Sequence, residues 1–163
     1  MSDINIFLAS SIVDLVHDRN AIGNFVRRIN DKLKAKASNQ YVRLFMCEFE
    51  DASISALGRK QEEYNAVIRK ADLFLILFFN HAGEFTLEEL DIAIQAQRPN
   101  ILPFFRVADN GTAEYNADET LETAISHLAE HNIQWKTYTH IDQVKQALLA
   151  ALENYLPAIE EMQ

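Results

Sequence analysis

The sequence has a single cysteine, four glycines, three prolines and no long apolar run. The lone Cys47 excludes an internal disulfide and a cysteine-rich metal site. Scarce glycine and proline leave little room for a flexible linker between domains. The apolar stretch at 73–79 has seven residues, far fewer than the roughly 20 that a membrane-spanning helix needs. No signal peptide is visible, so we expect a cytoplasmic protein without a membrane partner.

Basic residues are also few: 15 Lys and Arg against 24 Asp and Glu give a formal net charge of −9. Nucleic-acid binding needs a basic face that neutralises phosphates, so this balance argues against a general nucleic-acid binder. A single nucleotide can still bind through loop amides and one or two arginines. The hydrophobic fraction of 48% is typical of a globular chain. The sequence therefore predicts one domain, residues 1–157, followed by an acidic tail, residues 158–163.

Apolar strand patterns alternate with amphipathic helix patterns along the chain. The run at 73–79 predicts a strand buried on both faces, as in a parallel sheet covered by helices. Strict alternation with right-handed crossovers predicts a three-layer, flavodoxin-like α/β fold with a five-stranded parallel sheet of order 2-1-3-4-5. The predicted strands are Ile4–Ala9, Tyr41–Cys47, Leu73–Phe79, Ile101–Val107 and Ile133–Thr139. The last two predicted helices are Asp118–His131 and Ile141–Leu156, and the main predicted loops are Glu48–Gly58 and Ala108–Ala117.

Polar segments follow the first and third predicted strands, which flank the point where the strand order reverses. Ser10 and Ser11 follow the first strand and can either cap a helix or offer hydroxyls to a phosphate. After the third strand, Thr86 and Glu89 have the spacing of a capping box. This spacing predicts a helix that starts at Thr86 with Glu88 and Glu89 in its first turn. In an open α/β sheet, ligands bind at this edge.

The two glutamates are the strongest candidates for chemistry. An acid in the first turn commonly serves only as a cap and a partner of the helix dipole. Here the preceding loop contains Gly83 and Phe85, which can form a wall, and the small Ala93 one turn behind Glu89 leaves room against the sheet. A carboxylate held there suits stabilisation of a cationic transition state, such as the oxocarbenium ion formed when a glycosidic bond breaks.

Other chemistries lack their motifs. No G-x-G-x-x-G and no P-loop lysine follow the first strand, which disfavours hydride transfer with a tightly held dinucleotide and P-loop phosphoryl transfer. His127 and His131 have metal-ligand spacing, but no acidic third ligand lies one turn on, so a solvated helix face is favoured and no metal site is predicted. Cys47 has no histidine near it in sequence and is interpreted as a packed thiol.

The chain resembles a TIR domain, and more narrowly the bacterial TIR-like domains. The resemblance spans nearly the whole chain and rests on Ile6–Ser11 with Asp14, on Asp51–Gly58, on Asn65–Leu77 and on Phe85–Leu90. The last segment, Phe-Thr-Leu-Glu-Glu-Leu, matches the family's tryptophan-cysteine-x-x-glutamate-leucine signature. Phe85 and Thr86 stand where the family usually has tryptophan and cysteine, which weakens the expected stacking on nicotinamide.

The resemblance implies an enzyme that uses NAD+ as a substrate rather than as a cofactor. It implies hydrolysis of the nicotinamide–ribose bond, giving nicotinamide and ADP-ribose or a cyclic product, in bacterial signalling or antiphage defence. Glu89 takes the position of the essential carboxylate. The remaining substrate-binding residues that we expect on this basis are Ser10, Ser11, Phe85, Asp51 and Arg59.

The resemblance also implies self-association, because catalytic TIR domains commonly need assembly to complete their site. Asp51–Gly58 matches the family's assembly loop, and further domains or an upstream sensor are compatible partners. Two alternatives stay open. One is a non-catalytic TIR domain that only assembles. The other is a nucleoside 2-deoxyribosyltransferase, a family that shares this layout, a strand-one Leu-Ala like Leu8-Ala9 and a glutamate on the helix after strand three.

Overall fold

The computed structural model describes residues 2–10, 15–46, 54–107 and 119–156, with the backbone alone described for residues 2 and 54–61. Several predictions made from the sequence fall outside this part of the chain. They concern Ser11, Cys47, Asp51, the side chain of Arg59, the loop Ala108–Ala117 and the tail at 158–163.

Strands and helices alternate along the described chain, as the sequence predicts. The strands are β1 (Ser2–Ser10), β2 (Gln40–Met46), β3 (Leu73–Phe78), β4 (Asn100–Arg106) and β5 (Lys136–Tyr138). The helices are α1 (Val16–Ala35), α2 (Ile54–Lys70), α3 (Glu84–Ala96), α4 (Glu119–Glu130) and α5 (Ile141–Leu152). β5 is shorter than predicted because the Ile133 amide donates to the Leu128 carbonyl at 2.9 Å, so Ile133 closes the end of α4 rather than starting the strand.

The five strands form one parallel sheet of order β2-β1-β3-β4-β5, which confirms the predicted topology. β3 lies at the centre, and all of its side chains are buried. Ser10, the last residue of β1, pairs with Leu77 near the end of β3. β1 and β3 are neighbours at the point where the strand order reverses, and their carboxyl ends face the same edge of the sheet.

The sheet separates two apolar clusters, because successive side chains of a strand point to opposite faces. Along β1, Ile6 and Leu8 pack with residues of α1 and α5, on what we call the α1 face. Phe7 and Ala9 pack with residues of α2, α3 and α4, on what we call the α3 face. The chain is therefore a three-layer α/β fold with helices on both sides of the sheet.

The start of α2 corrects one prediction. The helix begins at Ile54, so the second half of the predicted loop up to Gly58 is helical. A single glycine inside a helix costs only about 1 kcal/mol relative to alanine and does not by itself end it. The apolar residues Ile54 and Leu57 continue the helical spacing that Tyr64 and Ile68 show further along, and this pattern overrides the glycine.

The start of α3 corrects a second prediction. The helix begins at Glu84, its N-cap is Gly83, and no side chain caps it. The Leu87 amide donates to the Gly83 carbonyl at 3.0 Å and closes the first turn. Thr86 is therefore the third residue of the helix rather than its cap, and Glu89 is the sixth and lies in the second turn. The predicted capping box between Thr86 and Glu89 is wrong, because glycine in extended backbone begins the helix three residues earlier.

The end of α5 also differs from the prediction. The helix stops at Leu152 and a hydrogen-bonded turn follows, in which the Tyr155 and Leu156 amides both donate to the Leu152 carbonyl. Its start agrees with the prediction. His140 is the N-cap and forms a capping box with Gln143.

Candidate active site

The carboxyl ends of β1, β3, β4 and β5 form one edge of the sheet, where polar and charged side chains enter an otherwise apolar interior. On the α1 face, the strand ends contribute Ser10 and Arg106, and the first turn of α1 contributes Asp18 and Arg19. On the α3 face, the helix that follows β3 contributes Glu89. This is the edge at which an open α/β sheet binds ligands.

Glu89 is a buried carboxyl group, with only 3% of the residue exposed. It lies on the inward face of α3 together with Thr86, Leu90 and Ala93, which have the i, i+3, i+4, i+7 spacing of one helix face. Leu90 and Ala93 belong to the apolar cluster of the α3 face. Placing an ionised carboxylate in such surroundings costs free energy unless a partner compensates it. The adjacent Glu88 is exposed to solvent.

Phe85 lies in the first turn of α3 and is 41% exposed, whereas its neighbour Thr86 is buried. A large aromatic ring at a ligand-binding edge offers a surface on which a base or a pyridinium ring can stack. The family resemblance predicts this contact. The exposure of Phe85 is compatible with it.

Ser10 takes part in a buried contact with Arg19. The Arg19 guanidinium donates to the Ser10 hydroxyl at 3.0 Å and approaches the Ser10 carbonyl at 3.5 Å. Both residues are buried. The hydroxyl that the sequence offers to a substrate thus also accepts a charged hydrogen bond from the protein itself.

A second group of contacts on the α1 face joins the buried Asp18 and Tyr138 to the partly exposed Arg106, and we call it the Asp18 network. One carboxylate oxygen of Asp18 accepts from the Arg106 guanidinium at 2.8 Å and from the Tyr138 hydroxyl at 2.8 Å. Burial raises the pKa of Tyr138 well above its usual value, and the charge and hydrogen bond of Asp18 raise it further, against the smaller effect of Arg106. Tyr138 therefore stays protonated and remains a donor to Asp18.

Ser10 and Glu89 belong to opposite faces of the sheet. Ser10 contacts α1 through Arg19, whereas Glu89 lies on a helix that packs against Phe7 and Ala9. A ligand that touches both side chains has to cross the carboxyl edge of the sheet near the end of β1. Of the other predicted substrate contacts, Phe85 lies at this edge, Arg59 lies in α2 with its side chain undescribed, and Ser11 and Asp51 lie outside the described residues.

The Asp18 network was not predicted from the sequence, although the sequence pattern of α1 contains part of the evidence for it. Leu15, Asp18, Arg19 and Ile22 share the buried face of α1 with Val26, at spacings of three and four residues. Two charged residues on an apolar face indicate buried partners. The two partners of Asp18 are 88 and 120 residues away along the chain, and no local pattern points to them.

The histidines give no metal site in the described residues. No group of three or more His, Cys, Asp and Glu side chains in this part of the chain has metal-binding geometry. The His127 ring lies 3.1 Å from the Asp91 carboxylate of α3, whereas the exposed His131 ring lies 2.8 Å from the His127 carbonyl. The two rings thus contact different groups instead of converging on one ion.

One large cavity among the described residues lies away from the candidate site. It is an open groove of about 1090 Å³ between α1 and the edge strand β2, and its lining includes Arg27, Asn30, Tyr41 and Arg43. It contains none of the predicted site residues.

No helix in the described ranges is both long and apolar enough to cross a membrane. No protein-family model matches the chain, and no curated protein matches it significantly.

Proposed function

We propose that the protein is an NAD+ glycohydrolase of the TIR type, which hydrolyses the bond between nicotinamide and the ribose C1′. The proposal depends most on the buried carboxyl group of Glu89, on the helix that follows β3, at the edge where the strand order reverses. The resemblance of Phe85–Leu90 to the TIR signature supports the same residue.

The reaction needs little acid catalysis, because nicotinamide is a pyridinium cation in NAD+ and leaves as a neutral molecule. The bond between C1′ and the ring nitrogen breaks, and its electron pair moves to that nitrogen. The ribose then carries the positive charge as an oxocarbenium ion. Water adds to C1′ and releases a proton, which gives ADP-ribose; attack by a nitrogen of the substrate's own adenine gives the cyclic product. Both routes need the positive charge at C1′ to be stabilised.

Glu89 is the residue to which we assign this role. Removal from water strengthens the interaction between a carboxylate and a nearby positive charge, so a carboxyl group that is 3% exposed is more effective than a solvated one. In this proposal Glu89 also accepts hydrogen bonds from the hydroxyls of the nicotinamide ribose. Phe85 provides the stacking surface, and Ser10 contributes to binding rather than to bond cleavage.

Self-association belongs to the proposal. The resemblance assigns it to the region from residue 51 to 58, whose second half forms the start of α2. An assembly-dependent enzyme has a specific activity that rises with protein concentration, because the fraction of assembled protomers rises by mass action. This behaviour separates the proposal from that of an independent monomeric hydrolase.

The test is release of nicotinamide from NAD+, measured by chromatography over a wide range of protein concentrations, with and without a crowding agent. We expect release with a rate per protomer that rises with concentration. No release at the highest concentration with crowding contradicts the proposal and favours the assembly-only alternative. A parallel reaction with a deoxynucleoside and a free base tests the deoxyribosyltransferase, whose family has a glutamate at the same place in the fold. Base exchange there with no release from NAD+ favours that enzyme.

A further inference from the structure

Arg106 has binding capacity that the fold does not use. Its side chain is 32% exposed at the carboxyl end of β4, on the α1 face of the sheet. Its described interactions are the 2.8 Å contact of Nη1 with Asp18 and the approach of its guanidinium to the Phe79 ring, 5.9 Å from the ring centroid. A guanidinium has several N–H donors in a planar fork. Within the described residues, the donors other than Nη1 have no hydrogen-bond partner.

The surroundings hold this guanidinium in one orientation. Asp18 is buried and is itself held by Tyr138 through a 2.8 Å hydrogen bond. The guanidinium carbon also lies over the ring of Phe79, the residue after β3, and the ring attracts its positive charge. An arginine oriented in advance loses little side-chain entropy when it binds a ligand.

We infer that Arg106 is a binding subsite for a phosphate or diphosphate group at the carboxyl edge of the sheet. The fork of a guanidinium matches two oxygens of a phosphate group. The chain as a whole has a net charge of −9, and a guanidinium at the ligand-binding edge counteracts the repulsion of an anionic ligand locally. The inference rests on the proposed function only in naming the diphosphate of NAD+ as the ligand.

The competing interpretation is that Arg106 only neutralises the buried Asp18. Two variants separate the interpretations. Asp18→Asn removes the carboxylate charge and keeps Arg106. The double variant Asp18→Asn with Arg106→Gln removes both charges and leaves no unpaired buried charge. A purely structural role predicts the same ligand affinity for the two variants, whereas a binding role predicts a loss in the double variant alone.

The measurement is titration calorimetry with ADP-ribose and, separately, with inorganic diphosphate. We expect the wild type and Asp18→Asn to bind ADP-ribose, and the double variant to bind it about 10- to 100-fold more weakly, as expected for lost hydrogen bonds to a charged group. Arg106→Lys keeps the charge but loses the fork, and we expect an intermediate affinity. Arg98→Gln is the matched control. Arg98 is an exposed arginine before β4, at the opposite edge of the sheet, and makes a 3.6 Å contact with Asp72.

Equal affinity in the double variant and Asp18→Asn overturns the inference, as does an equal loss in Arg98→Gln, which indicates a general charge effect. Absence of ADP-ribose and diphosphate binding to the wild type also overturns it. Failure of the proposed reaction has a different signature. If the wild type releases no nicotinamide but binds ADP-ribose in an Arg106-dependent way, the Arg106 subsite is supported and the glycohydrolase activity is refuted. If it releases nicotinamide and the double variant binds ADP-ribose normally, only the subsite is refuted.

Discussion

Each face of the sheet has a buried acid near the carboxyl edge, and the described surroundings of the two acids differ. On the α1 face, Asp18 is joined to a guanidinium and a phenol, each at 2.8 Å, within one connected network. On the α3 face, Glu89 lies on a helix whose inward neighbours Leu90 and Ala93 belong to an apolar cluster. The buried acid of the α1 face thus belongs to a network that includes the partly exposed Arg106, whereas the buried acid of the α3 face is flanked by apolar side chains of its own helix. Removing charge should cost stability on the first face and activity on the second.

The largest effect on stability is expected from Asp18→Ala. It leaves the buried Tyr138 hydroxyl without its acceptor and the partly exposed Arg106 without its counterion, and we expect a cost of about 3 kcal/mol. Urea unfolding measures the change. The control is Asp31→Ala, an exposed acid on the same helix, for which we expect a change within about 0.5 kcal/mol. Equal losses in the two variants would show that the network contributes nothing specific.

Tyr138→Phe removes one hydrogen bond of the network while keeping the ring. A hydrogen bond to a charged carboxylate contributes about 2 kcal/mol, so we expect a loss of this size near pH 8, measured by urea unfolding. The loss depends on pH in a definite direction. Because the pKa of Tyr138 is raised in the folded protein, the unfolded chain ionises first, at about pH 10. The contribution of Tyr138 is complete below that pH and declines above it.

The difference in unfolding free energy between the wild type and Tyr138→Phe should therefore shrink above pH 10, by about 1.4 kcal/mol per pH unit. Comparing the two proteins at matched pH cancels the titration of other groups that they share. A difference that stays constant between pH 8 and 11 would mean that the folded phenol ionises as readily as the unfolded one, which contradicts its burial next to Asp18.

Ser10→Ala tests whether the α1 face contributes to substrate binding rather than to bond cleavage. The hydroxyl accepts from Arg19 at 3.0 Å, so the protein already uses part of its hydrogen-bonding capacity. We expect the KM for NAD+ to rise about tenfold with little change in kcat, because a contact made equally in the ground and transition states affects binding alone. Steady-state nicotinamide release measures both constants. A large fall in kcat at unchanged KM would instead move Ser10 next to the bond that breaks.

The smallest effect is expected from Gly83→Ser at the start of α3. Gly83 is an N-cap with φ −62° and ψ 154° and no side-chain cap bond, a conformation that serine adopts readily. An added Cβ would meet only the Thr86 hydroxyl, at an ordinary 3.7 Å. A serine there can accept from an amide of the first turn, and we expect stabilisation by about 0.5–1 kcal/mol in thermal melts. Destabilisation would indicate that the helix does not start where the structure has it.

The sheet could be predicted because its signals are local and mutually consistent. The apolar run of β3 needs burial on both faces, and strict alternation with helices leaves few topologies. The starts of the helices were harder to predict than the sheet. Gly83 caps α3 without a side chain, and Gly58 lies inside α2, so reading serine, threonine and glycine as boundary signals misplaced both starts. The burial of Glu89 is readable from its spacing to Leu90 and Ala93, even though its turn was assigned wrongly.

The Asp18 network shows that local sequence patterns do not predict contacts between residues that are distant along the chain. Asp18 and Arg19 stand out on the apolar face of α1, but Arg106 and Tyr138 are ordinary strand-end residues until the parallel register aligns them. Their pairing is set by the order of β4 and β5 in the sheet, so it becomes predictable only once the topology is known. Of the four charged side chains at the carboxyl edge, Asp18, Arg19 and Glu89 come from helices, whereas Arg106 ends a strand that the sequence marks only as apolar.

We propose that Glu89 carries the chemistry, and the neighbouring Glu88 is its matched control. The most direct measurement is nicotinamide release by Glu89→Gln and Glu88→Gln at equal, high protein concentration, with thermal melts of both. Glu89→Gln should lose at least about 1000-fold in kcat, comparable to removing a main electrostatic contact of a transition state, and should melt as a folded protein. Glu88→Gln should stay within about threefold of wild type, because its carboxylate is exposed. Similar losses in both variants, or an active Glu89→Gln, would show that Glu89 is not the residue that stabilises the transition state.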